Sequence, residues 1–97
     1  MIPDTGIATV STSGTAVQIS NTPNRVLKIT VKALAANSGI VYFGESDVST
    51  TNGWGLSAGN EFEENYRELG GSVPFNSFWV DAASNGDKLY WKVVLEG

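Results

Sequence analysis

The sequence predicts an all-β fold, a single-domain antiparallel β-sandwich of about seven short strands, jelly-roll-like or Ig-like. Three observations carry that expectation. Apolar and polar residues alternate in the two clearest segments, "VLKITVKAL" and "KLYWKVVLE", the two-residue period of a half-buried strand. Residues tolerant of positive φ recur at short intervals as Ser13-Gly14, Asn37-Ser38-Gly39 and Asn85-Gly86, where hairpins are expected to reverse. Helical spacing, finally, is scarce.

Taken in order, residues 1–6 precede the first alternating run and are expected as a flexible N-terminal arm. The runs "IATVS" (7–11) and "TAVQIS" (15–20) flank Ser13-Gly14, and Asn21-Thr22-Pro23-Asn24 is a turn cluster whose proline has no N–H to donate. In "VLKITVKAL", Leu27, Ile29, Val31 and Ala33 are expected inward, with Lys28, Thr30 and Lys32 outward. "IVYFG" (40–44) is the next strand. After it comes "GESDVSTTNGWGLSAGNEF", far longer than the ~4–6 residues usual between elements. Val48 and Leu56 read as apolar plugs there, with Asn52-Gly53 as a tight turn. The stretch is expected to be an ordered Ω-type loop with Trp54 at its tip.

"EFEENYRE" (61–68) fits a helix by the spacing of Phe62 and Tyr66, and a strand by their shared parity. Gly70-Gly71 close behind favours the strand. "SFWVDA" (77–82) places Phe78 and Val80 inward and leaves Trp79 on the outer face. In the last run Leu89, Trp91, Val93 and Leu95 point inward, whereas Lys88, Tyr90 and Lys92 point out. No composition break divides residues 1–97, so one domain is expected.

Composition removes several function classes. The chain has 97 residues, a net charge of −4, and neither cysteine nor histidine. Phosphate-backbone binding needs clustered Lys and Arg, so no nucleic-acid partner is expected. Disulfides, thiolate or imidazole metal sites and the usual general base are all unavailable. The lack of cysteine also suits folding in a reducing cytoplasm. "IPDTG" interrupts any apolar run after Met1, so no signal peptide, membrane span or membrane partner is expected. Glu45, Asp47, Glu61, Glu63 and Glu64 lack the spacing of a calcium loop. They read as a solvated acidic edge, and serine or threonine nucleophiles have no histidine to activate them. The chain is read as a non-enzyme without a cofactor or metal.

Candidate interface residues remain: Trp54, Trp79, Tyr90, Lys28, Lys32 and Lys92. Trp54, between Gly53 and Gly55, is either a lid on its own sandwich or an anchor in a neighbour, tryptophan being common at interface hot spots. The outward lysines either pair with the acidic segment inside one chain or meet that segment on another subunit. Three aromatics on one exposed face would instead mark a carbohydrate-binding receptor module.

One resemblance adds to this reading. Val41-Tyr42, Gly44-Glu45, Ser46-Asp47-Val48, Asn52-Gly53, Trp54, Leu56 and Gly59 form a pattern that resembles small structural virion proteins of tailed bacteriophages. The approach "RVLKITVKALAANSGIVY" and the finish "VDAASNGDKLYW" are similar to the same proteins, so the resemblance spans roughly residues 13–93. Trp54 stands where other aromatics are frequent, and Glu45 where Asp is common. The resemblance implies a head decoration, head-fibre or tail-associated virion component, assembled in the host cytoplasm. A capsid decoration (cement) protein is the first expectation, with the major capsid protein or other virion proteins as partners. A minor tail or baseplate subunit is the alternative. A homo-oligomer is expected, trimeric by analogy, and the resemblance transfers no catalytic residue.

Overall fold

The computed structural model describes residues 2–96. Its strands are β1 (Ile2–Val10), β2 (Val17–Gln18), β3 (Arg25–Ala33), β4 (Val41–Gly44), β5 (Trp54–Leu56), β6 (Glu61–Asn65), β7 (Val73–Pro74), β8 (Trp79–Ala82) and β9 (Asp87–Leu95). A single 3-10 turn, Phe75–Ser77, precedes β8. The first sheet runs β1-β9-β3-β6, with β7 also pairing β3, and the second runs β2-β8-β4-β5. Every named pairing is antiparallel. The expected β-sandwich is present, with two strands more than the alternation suggests.

Parity sorts the side chains. Ile29, Val31 and Ala33 of β3 and Leu89 and Val93 of β9 are buried, and they pack in one cluster with Val41, Phe43, Val80 and Ala82 of the second sheet. Each buried Val, Leu, Ile or Phe in it contributes ~1.5–3 kcal/mol by leaving water. Trp91 is partly buried and meets Phe75 edge-on, ring centroids 5.0 Å apart. Its indole also covers the backbone of its β1 partner, Gly6, where any side chain would collide with the ring.

Four expectations are corrected. The supposed arm is strand: residues 2–6 pair with 91–95 of β9 (Met1 lies outside the described residues). Turn-like "IPDTG" is tolerated because β1 is an edge strand. Pro3 needs no ladder donor there, and Asp4 Oδ1 accepts the Thr5 N–H at 2.9 Å. In β3 the register shifts between Val26 and Lys28. The bulge buries Val26 completely and leaves Leu27, expected inward, only half-buried.

The three glycine turns make arches rather than hairpins. The chain crosses from one sheet to the other at Ser13-Gly14, at Asn37-Ser38-Gly39 and at Asn85-Gly86. Finally, the Ω-type loop is a hairpin. Ser49 and Asn52 exchange backbone hydrogen bonds of 2.8 and 3.1 Å, and the chain returns as β5 against β4. Val48 and Leu56 are buried plugs, as expected. The acidic segment is a strand over Glu61–Asn65. Beyond it, the Leu69, Gly70 and Gly71 N–H groups donate back to Tyr66 and Arg67 carbonyls, so the helical signal there reports a tight turn.

Candidate functional site

Four of the six candidate residues come together on the outer face of the first sheet. Tyr90 lies between Ile7 of β1 and Lys32 of β3, while Lys92 lies between Thr5 and Thr30. Lys28 follows on β3, and Lys88 shares the outward parity of β9. All four lysines of the chain therefore stand on one surface of a molecule whose net charge is −4. Tyr90 and Ile7 are 41% and 55% exposed, an apolar centre inside that basic rim. A shallow groove beside it is lined by Lys32, Leu34, Ala35 and Tyr90.

The acidic strand adjoins this face instead of lying apart from it. Glu61 is the cross-strand partner of Lys32, and Glu63 of Thr30. Lys28 Nζ meets Glu63 Oε1 at 2.6 Å. That hydrogen bond, reinforced by the Glu63 charge, raises the Lys28 pKa above its ordinary 10.5. Of the two arrangements expected for the lysines and the acidic segment, Lys28 and Glu63 take the pairing within one chain. Both partners are about half exposed, so the pair contributes little stability.

Trp54 is not at a loop tip. It begins β5 opposite Phe43 and therefore points toward the sandwich interior. Its ring reaches Phe62 of the other sheet, centroids 5.0 Å apart, and yet it stays 58% exposed. It is a partial lid over the edge where β5 and β6 border the sandwich. Glu64 shares the parity of Phe62 on β6. Both Glu64 and Glu45 raise the Tyr66 pKa, after the larger effect of burial.

Trp79 occupies a third surface, the outer face of the second sheet, between Gln18 and Gly44 and only partly exposed. Phe78 and Val80 on either side are buried, as the alternation predicts. The three aromatics thus point from three different surfaces, and the platform required of a carbohydrate-binding module is not formed by Trp54, Trp79 and Tyr90.

Sequence reasoning missed the buried aspartates. Asp87 Oδ1 and Oδ2 accept the Ser38 and Gly39 N–H groups at 2.9 and 2.8 Å. Asp81 is fully buried, and its Oδ1 accepts the Gly14 N–H at 3.0 Å and the Ala82 N–H at 2.8 Å. Its Oδ2 has no hydrogen-bond partner among the described residues. Asn85 accepts the Ser13 N–H, and Asn37 exchanges two bonds with the Lys88 backbone. These side chains tie down the arches, whose amides have no neighbouring strand to bond. The available signal was Asp81 in an otherwise apolar strand and Asp87 directly after Asn85-Gly86. Among the described residues, no three carboxylates gather where a metal ion would need them.

With this geometry in view, comparison with known proteins adds a fold likeness. No protein-family model matches the chain, and no curated protein matches it. Among solved structures, IMPa from Pseudomonas aeruginosa in complex with an O-glycopeptide is similar, with a TM-score of 0.53 and 11% identity over 97% of this chain. A further structure of that metallopeptidase gives a TM-score of 0.52 at 12% identity. This chain spans only 12% of the length of IMPa, so the likeness is to one portion of it and concerns the fold alone. The SPBc2 prophage-derived protein YomS matches over 99% of this chain and 96% of its own, with a TM-score of 0.46 and 16% identity.

Proposed function

We propose that this chain is a non-enzymatic structural component of a phage particle, and specifically a decoration protein that binds the capsid lattice and bridges its subunits. The observation that carries this reading is the placement of Trp54, Trp79 and Tyr90 on three separate surfaces of one rigid sandwich. A receptor for one ligand converges its aromatics on one site. A bridging protein needs several contact faces at once. The sequence resemblance over residues 13–93 supports the same class. The buried aspartates are engaged in holding turns, which argues for a structural role over a reaction centre. Many copies, each binding only the assembled shell, stabilise it by mass action.

Lattice contact is expected through Trp79 together with whichever of the other two surfaces a neighbour leaves free. The test is negative-stain microscopy of purified particles with the protein gold-labelled. Regular labelling over the head is expected. Label confined to the tail end would replace decoration by a tail or baseplate role, and particles without label would remove the virion reading altogether.

A further inference from the structure

Two of the exposed surfaces are opposites of each other. On the outer face of the first sheet, Tyr90 and Ile7 make an apolar centre with Lys32 and Lys92 beside it. On the β5–β6 edge, Trp54 is 58% exposed and meets Phe62; Glu64 shares the parity of Phe62 on β6, and exposed Glu45 lies two residues beyond Phe43, the cross-strand partner of Trp54. One patch is apolar with Lys32 and Lys92 beside it, Glu61 and Glu63 lying farther out on β6 opposite Lys32 and Thr30; the other is apolar with carboxylates alone beside it. Edge-to-edge contact sets Glu45 and Glu64 opposite their own copies, and face-to-face contact centred on Tyr90 and Ile7 sets Lys92 near its own copy, whereas edge-to-face contact pairs opposite charges. Each suits the other.

We propose that copies of this chain associate head to tail, the Trp54 edge of one seated on the Tyr90–Lys92 face of the next. The two patches lie on different surfaces, so a bound copy still offers its own face. Such a contact is heterologous, closing into a ring where the rotation allows and otherwise extending as a filament. A polyanion is a poorer occupant of the basic face. Tyr90 is its only aromatic among the described residues, so bases find no stacking track, and the net charge of −4 repels phosphate chains at long range. The inference goes beyond the virion reading and does not depend on it, since it concerns purified protein with no particle present.

The experiment is sedimentation equilibrium on wild type and two charge-reversed variants, each checked for its β circular-dichroism spectrum. The face variant carries Lys32→Glu and Lys92→Glu; the edge variant carries Glu45→Lys and Glu64→Lys. Wild type is expected to form species larger than a dimer and to lose them in about 1 M NaCl, where the Debye length is only ~3 Å. Each variant alone is expected to be monomeric. An equimolar mixture is expected to regain species larger than a dimer, because the reversed edge is basic and the reversed face acidic, so both contacts between the two variants again pair opposite charges. Trp54→Ala, which leaves the charges in place, is expected to weaken association at least about thirtyfold. Strictly monomeric wild type, self-association of the face variant alone, or a mixture that stays monomeric would each overturn the proposal.

Discussion

Trp54 and Trp91 are one side chain in two environments, and their substitution separates contact from core. Trp91 is packed edge-on against Phe75 and fills the space over Gly6. Trp91→Ala should therefore cost about 3 kcal/mol or more, since it opens a cavity beneath β1. Trp54 rests on Phe62 with more than half its surface in water. Trp54→Ala should cost on the order of 1 kcal/mol of folding stability. For a domain of this size each kcal/mol moves the melting temperature by ~4–8 °C, so a thermal scan of the two variants resolves them. Equal losses would mean that Trp54 is core and not an anchor. The tryptophan in the alternating last strand was legible from its neighbours Leu89 and Val93. Trp54 was not, because its role depends on Phe62, which meets it from the other sheet.

Single strands were legible as elements, whereas the connections between them were not. Alternation reports that one face is buried, and it looks the same whether the next strand lies beside it or across the core. The glycine turns could therefore be located without revealing that they cross between sheets. The β3 bulge was hidden for a related reason: one added residue shifts Val26 inward while the rest of the run keeps its parity. The arches also explain the buried aspartates. A turn between sheets ~10 Å apart leaves amides with no strand to bond, and Asp87 supplies both oxygens to the turn at 38–39. Asp87→Ala should cost about 1–3 kcal/mol by leaving two amides unpaired. Its specific signature is faster hydrogen exchange at the Ser38 and Gly39 amides. Unchanged exchange there would show that the carboxylate does not hold the arch.

At the scale of the whole molecule, the fold gathers the lysines on one sheet face, with Glu61 and Glu63 of β6 beside them and Glu64 turned to the opposite side with Phe62. The outward parity of the lysines was legible in the sequence. That β6 pairs with β3, and so brings Glu63 to Lys28, was not, because the twenty-seven intervening positions (34–60) carry no signal of that pairing. The same arrangement sets the response to alkali. Burial first, then Glu64 and Glu45, raises the Tyr66 pKa above its ordinary 10.0, so the folded chain holds this proton more tightly than the unfolded one. As pH rises past 10.0 the unfolded state loses the proton first, and folding stability must fall. Lys28 acts in the same direction: its pairing with Glu63 is complete below the ordinary lysine value of 10.5 and is lost as pH climbs through the raised one. Urea unfolding at a series of pH values should therefore show stability declining above about pH 10. Tyr66→Phe should make that decline shallower, because the phenyl ring keeps the packing against Phe78 and has no proton to lose. Subtracting the ultraviolet titration of Tyr66→Phe from that of wild type isolates this one phenol. A midpoint at or below 10.0 in the folded protein would contradict the buried, carboxylate-flanked position assigned to Tyr66.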